Sequence, residues 1–269
     1  MDSARTHSPA AAGSLVSLLN RVPAPVAGAF RSDGLLARLA RPLLGRLLPA
    51  GLTTVVVRSG PARGLRFPIY PRSEKFYWTG TWEPHVQQAL ERTLAPGGRF
   101  WDVGAHVGFF ALLAERLVQP GGEVTAFEPI PENCVRLREN IRLNRAAVRV
   151  VSEALSHEPG VAQMQMRAGS SFMWTLECAA DGSPTSAVTV STLDANVDRY
   201  GRPDVVKIDA EGAEVEVLRG ASALIAESKT TFLVEFTSDD LVESARALMP
   251  GYDFKLAGAN HWLIEPSPP

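Results

Sequence analysis

Asp102 and Glu128 stand at the ends of consecutive apolar runs, and Asp209 and Glu211 close a later one. Asp102 lies in FWDVGAHVGFF, residues 100–110, where an apolar run meets a glycine turn and then a second apolar run at helical spacing. Turns of that outline carry nucleotide-containing ligands, because glycines such as Gly104 and Gly108 let backbone approach a ligand or turn sharply into a helix. A dinucleotide fingerprint needs three glycines, G-x-G-x-x-G, so that pyrophosphate rests on a helix N-terminus. The string here is Asp102-x-Gly104-Ala105-x-x-Gly108, one glycine short and with a carboxylate that repels pyrophosphate. A carboxylate attracts the ammonium and sulfonium of S-adenosylmethionine, which has no phosphate.

Glu128 ends the next run, where a carboxylate accepts both hydroxyls of an adenosine ribose. That position serves a nicotinamide dinucleotide equally well and does not discriminate. Taken singly, Asp102 is also a helix N-cap and Glu128 a surface acid; the two at consecutive strand ends weigh against both readings. Pro129, beside Glu128, joins the expected cofactor set. Glu153 and Ala154, after the following strand, fall where the adenine amino group and ring face would lie.

Methyl transfer from a sulfonium asks the protein to align an acceptor, exclude water and help remove a proton. Asp209 would contact the methionine ammonium or act as a base facing the acceptor. Glu211, on the next turn, either shares that task or is a helix N-terminal carboxylate favoured by the macrodipole. Two carboxylates are few for an enclosed divalent-cation site, so a divalent ion is not favoured and no metal ligand is assigned. His106 is the side chain best suited to act as a base at neutral pH, against a structural reading as a hydrogen-bonded turn residue. Lys207 sits within an apolar strand and needs an acid partner from a neighbouring strand, such as Glu235. Tyr77, Trp78 and Trp82, with Trp174, would wall an acceptor pocket or simply fill a core.

The elements that must position these residues follow from periodicity. TTVVVRSG (53–60) and GLRFPIY (64–70) read as a hairpin, and residues 83–94 as a helix ended by APGG. From Arg99 strands and helices alternate: strand to 105, helix 107–118, strand EVTAFEP, helix 131–144, strand VRVVSEAL. Such alternation argues for a parallel sheet covered on both faces. VAQMQMR and AVTVSTL then alternate polar and apolar residues, an antiparallel insertion. DVVKIDAEG, a helix over 212–226, TTFLVEF and a helix over 238–249 resume the rhythm, and YDFKLAG with HWLIEP closes the chain as a hairpin. The expected organisation is a helical N-terminal cap (1–52), a lead-in hairpin and lid helix (53–98), and a cofactor-binding domain (99–269).

At 269 residues with a formal net charge of −2, the chain buries a sizeable core and has no overall pull toward nucleic acid. The leucine-rich stretch 35–48 is broken by Pro42 into two short pieces, and no apolar run approaches a membrane span. Cys134 and Cys178 have neither metal-ligand nor redox-motif spacing, and a reduced, cytoplasmic setting is expected. Oligomeric state is unreadable, although the apolar N-terminal segment would serve a homodimer.

FWDVGAHVGFF, AFEPIPEN, EALSHEPG, STLDANV and above all DVVKIDAEGAEVEVLRGA resemble the FkbM family of S-adenosylmethionine-dependent methyltransferases, and the upstream KFYWTGTWEPHV resembles its lead-in. The resemblance runs from about residue 55 to 265. It implies an α/β, class I (Rossmann-like) methyltransferase fold, with a seven-stranded mostly parallel sheet and an antiparallel C-terminal hairpin. It also implies O-methylation of a hydroxyl on a small molecule, often a sugar or polyketide-type natural product, with S-adenosylhomocysteine as the other product. A carboxylate or amine acceptor is the alternative. An NAD-dependent oxidoreductase and a non-catalytic binding scaffold are the remaining rivals.

Overall fold

A computed structural model of the chain describes residues 51–166, 174–175 and 185–268. The leucine-rich stretch 35–48, Cys178 and the side chain of Trp174 lie outside the described residues. The chain divides into two compact units at Pro84–His85.

In the first unit, β1 (Thr53–Val56) pairs antiparallel with β2 (Arg66–Ile69), Thr53 opposite Ile69 and Val56 opposite Arg66. Val55, Phe67 and Ile69 are buried there. A short helix α1 (Lys75–Thr79) ends at Gly80, whose φ of 72° is left-handed. A β-carbon at Gly80 would meet the Ser59 carbonyl oxygen, so this turn requires glycine. Tyr77 and Trp78 are buried in this small core. Tyr77 stacks on Phe67 at 5.9 Å and Phe76 on Trp82 at 4.3 Å.

The second unit begins with α2 (Pro84–Thr93), which buries Val86, Ala89 and Leu90. This helix, grouped with the lead-in segment by periodicity, falls in the second unit, because His85 hydrogen-bonds His261 and packs on Gly258. The strands and helices then run β3 (Arg99–Val103), α3 (Phe109–Val118), β4 (Glu123–Phe127), α4 (Pro131–Asn144) and β5 (Val148–Val151). After the insertion come α5 (Leu193–Tyr200), β10 (Val205–Ile208), α6 (Glu214–Arg219), α7 (Ser222–Ala226), β11 (Thr231–Glu235), α8 (Asp239–Leu248), β12 (Tyr252–Gly258) and β13 (His261–Pro266). Among the described residues these strands form a seven-stranded sheet in the order β12-β13-β11-β10-β3-β4-β5. All neighbours from β11 through β5 are parallel, and β13 is antiparallel to both β11 and β12. This is the expected Rossmann-like sheet with its closing hairpin. Trp101, Val206, Phe232, Val234 and Ile264 carry one face of it into a continuous apolar core.

Two expected elements are broken. VRVVSEAL is one apolar run in sequence, yet β5 stops at Val151 and Ala154–Leu155 form β6 in another sheet, order β6-β9-β7-β8. In that sheet β7 (Gly160–Met166) pairs antiparallel with β9 (Thr185–Ser191), as the alternating insertion requires, and β8 (Trp174–Thr175) extends β7. The helix expected over 212–226 is split into α6 and α7. A β-carbon at Gly220 would collide with the Ser156 carbonyl oxygen at 2.1 Å, so the chain bends where backbone packs on backbone. The helix α5, not anticipated by periodicity, starts where the Thr192 hydroxyl accepts from the Ala195 amide. Among the described residues no helix is long and apolar enough to cross a membrane.

Candidate functional site

The carboxyl ends of β3, β4 and β10 converge on the glycine turn after β3, the crevice position where open parallel sheets bind ligands. Gly104 has a φ of 76°, and a β-carbon there would meet the Asp209 carbonyl oxygen at 1.8 Å. Only glycine lets the turn after β3 and the end of β10 come this close. Gly108, with φ 84°, begins α3, and a β-carbon there would strike the side chain of Leu137 on α4. Glycine there lets α3 pack closely on α4.

The backbone amides of this turn are turned inward. Gly104 and Ala105 both donate to the Phe127 carbonyl at 3.0 Å, and His106 donates to Glu128 Oε2 at 2.7 Å. Amides committed in this way cannot cradle a pyrophosphate, which weighs against a dinucleotide. His106 adopts a positive φ of 49°. Histidine, asparagine and aspartate are enriched in that conformation, so the turn geometry alone accounts for this residue type.

Glu128 is buried and acts as a clamp. Its Oε1 accepts from the Ile130 amide at 2.9 Å and from Asn133 Nδ2 at 3.2 Å, and its Oε2 takes the His106 amide. Burial raises its pKa, opposed by these donors. A carboxylate has about four acceptor positions, so one remains for a ribose hydroxyl. Pro129 follows it, half-buried. Glu153 bonds Arg199 at 3.2 Å, and Ala154 packs with Ile130, Met164, Val188 and Val190 in the core of the smaller sheet.

Asp102 is 1% exposed, and neither of its carboxylate oxygens has a hydrogen bond of ordinary length among the described residues, Lys207 being its charged neighbour. Burial raises its pKa, and Lys207 partly counters this. Lys207 lies opposite it in register on β10, with Nζ 3.7 Å from Asp102 Oδ1 and 3.1 Å from Asp209 Oδ2. Its ammonium also sits 5.1 Å above the Phe110 ring. Lys207 thus meets an acid of a neighbouring strand, as expected, and that acid is Asp102, with Asp209 added from its own strand. Lys207 is opposite Leu233 on β11, and Glu235, two residues on, falls beside Asp209 and accepts from Asn260. Lys207 and the side-chain hydrogen bonds of Asp209 lower its carboxyl pKa against the effect of burial.

Beyond Asp209 the chain turns through Glu211, whose φ is 51°. Glu214, which residue typing passed over, pins this turn: its Oε1 accepts from the Ala210 and Gly212 amides, each at 3.0 Å. It is 1% exposed, and burial raises its pKa. An acid three residues after another at a helix start is the one signal that could have revealed it. Asn140, equally buried, ties α4 to the turn by donating to the Val107 carbonyl at 2.8 Å. Among the described residues no group of three or more His, Cys, Asp or Glu side chains could hold a metal ion.

Asp102, Gly104, Ala105, His106, Glu128 and Asp209 are therefore brought together at one edge. Tyr77, Trp78 and Trp82 lie in the first unit, and the backbone of Trp174 pairs with Met166. For S-adenosylmethionine the fit rests on Asp102: a buried carboxylate with acceptor capacity left over suits an ammonium and not a phosphate.

Residues 102–256 match the family model described as Methyltransferase FkbM domain. Over 126 residues the chain is 36% identical to 31-O-demethyl-FK506 methyltransferase FkbM of Streptomyces tacrolimicus, covering 47% of this chain and 44% of that protein. Over 120 residues it is 30% identical to the hexuronic acid methyltransferase AglP of Haloferax volcanii, covering 45% and 48%. The chain thus spans about half the length of the curated relatives it matches. The crystal structure of methyltransferase FkbM from Methylobacillus flagellatus KT superposes with a TM-score of 0.45 at 15% identity, covering 88% of this chain and 60% of that one.

Proposed function

The chain belongs to the FkbM methyltransferase domain family, and on that premise we propose that it is an S-adenosylmethionine-dependent methyltransferase acting on a hydroxyl of a small molecule, such as a natural product or its sugar. The observation that carries this reading is Asp102, fully buried at the end of β3, with its carboxylate 3.7 Å from the Lys207 ammonium and no hydrogen bond of ordinary length to the protein. In this reading Asp102 and Asp209 hold the methionine end, and Glu128 with Pro129 the ribose. The backbone at Gly104, Ala105 and Gly108 supports the cofactor's approach, and Glu153 and Ala154 border the adenine.

When bound, S-adenosylmethionine supplies a methyl group already activated by its sulfonium. The protein's share is to align the acceptor oxygen, keep water out and receive a proton. His106, Asp209 and Glu211, at the ends of β3 and β10, are the groups considered for that proton. A carboxylate acceptor needs no base and is the second reading, supported by the hexuronic acid named for the Haloferax relative.

Calorimetric titration tests the proposal. S-adenosylhomocysteine binding with no NAD binding supports it, and NAD binding without S-adenosylhomocysteine overturns it in favour of an oxidoreductase. Binding of neither ligand would favour a scaffold.

A further inference from the structure

The terminal hairpin brings a histidine pair to the same strand ends. His261 opens β13 opposite Glu235, the last residue of β11. Its Nδ1 lies 3.0 Å from Nε2 of His85 at the start of α2. The register of Ile208 opposite Val234 carries Asp209 alongside Glu235, on the same face of adjacent parallel strands. Two carboxyl groups set side by side disfavour double ionisation, which lets such a pair hold one proton between its members.

Every packed element contributes a charged or titratable neighbour. β3 supplies Asp102, β10 supplies Lys207, β13 supplies His261 and α2 supplies His85, while Glu211 and Glu214 flank the turn beyond Asp209. Burial, with Lys207 and His85 nearby, holds His261 down to about 4, and burial also lowers His85. Both histidines are neutral at neutral pH, so the proton belongs to the carboxyl pair. With Asp102 and Lys207 charged, the cluster carries one net negative charge. S-adenosylmethionine carries one net positive charge, from its ammonium, sulfonium and carboxylate, and its demethylated product carries none.

Building on the methyltransferase reading, we propose that Asp209 and Glu235 form a proton-sharing dyad that gives up its proton when the cationic methyl donor binds and regains one from the acceptor hydroxyl. Donor binding adds positive charge beside this half-buried pair and favours the dianionic dyad, which is a stronger base than the singly protonated one. The acceptor O–H bond then breaks, and its proton passes to the dyad. The acceptor oxygen forms the new C–O bond while the pair of the broken C–S bond stays on sulfur. With the sulfonium charge gone, the dyad keeps the proton. His261 lies opposite Glu235 in register, and its Nδ1 meets half-exposed His85.

The test needs no acceptor. S-adenosylmethionine and S-adenosylhomocysteine are titrated calorimetrically in buffers of different ionisation enthalpy between about pH 6 and 8, the range in which side chains of this kind exchange protons. Their common α-amino group cancels in the comparison. The donor is expected to release up to about one proton more than the product analogue. Its affinity relative to that analogue then rises up to about tenfold per pH unit. Glu235→Gln should erase this difference while S-adenosylhomocysteine still binds within a few-fold. Equal proton counts for the two ligands in the unmodified protein overturn the dyad, whether or not the variant folds. A difference that survives in Glu235→Gln and vanishes in His261→Gln overturns the assignment to the carboxyl pair. Failure of both ligands to bind overturns the methyltransferase reading instead.

Discussion

The α-carbon of Gly104 packs directly against the backbone carbonyl of Asp209, so closely that a β-carbon would lie 1.8 Å from that oxygen. The contact joins the glycine turn after β3 to the acid turn after β10, and both acids of the cofactor-facing edge depend on it. Gly104→Ala should therefore both clash and force alanine into a φ of 76°. We expect a loss of at least about 3 kcal/mol in urea unfolding, the sum of left-handed strain and displaced backbone. A variant within about 1 kcal/mol of the parent would mean that the two turns separate freely.

Asp102→Asn keeps the shape of the buried side chain, and Lys207 retains Asp209 at 3.1 Å. The variant should fold, yet lose about 1.5–3 kcal/mol of S-adenosylmethionine binding, the range for a hydrogen bond to a charged group. Isothermal calorimetry checks the binding and a thermal melt checks the fold. An unchanged dissociation constant would remove Asp102 from the cofactor set.

Glu214 makes its two turn bonds through one oxygen, while its other oxygen has no hydrogen-bond partner. Glu214→Gln preserves the accepting oxygen and removes a buried charge, so its stability at pH 7 should equal or exceed that of the parent. Glu214→Ala leaves two amides unsatisfied and should cost about 2–4 kcal/mol, at about 1–2 kcal/mol for each lost bond. Chemical denaturation of the two variants side by side measures the contrast. Equal losses in both would show that the carboxylate charge, and not the turn, is what matters.

His261 titrates near 4 in the folded protein against an ordinary 6.5. The unfolded chain therefore takes up the proton first as pH falls. The stability associated with neutral His261 is complete above about pH 6.5 and is lost as pH drops toward 4, by up to about 3 kcal/mol. Asp102, Glu128 and Glu214 have raised pKa values and act in the opposite sense, contributing stability that is present at acid pH and lost as pH rises. The His261 share is isolated by comparing urea midpoints of the parent and His261→Gln from about pH 4 to 6.5, the window between its two pKa values. Parallel curves for the two proteins would exclude it.

Local pattern was enough to read most of the frame. The alternation of apolar runs with helical spacing identified the parallel sheet, the alternating insertion and the closing hairpin, because each is written within about ten residues and the side-chain period is set by the backbone itself. The glycine turn and the acids Asp102, Glu128 and Asp209 were legible for the same reason. What residue order alone left open is who meets whom. Lys207 pairs with Asp102 because strand register, set only when the sheet assembles, puts Asp102 directly opposite it. VRVVSEAL and the run 212–226 read as unbroken, and both are interrupted where the small sheet and the Ser156 carbonyl claim their residues. His85 and His261 are 176 positions apart, and no local signal links them. Tertiary packing decided that contact, since it depends on where β13 ends beside α2 and not on any property of either histidine.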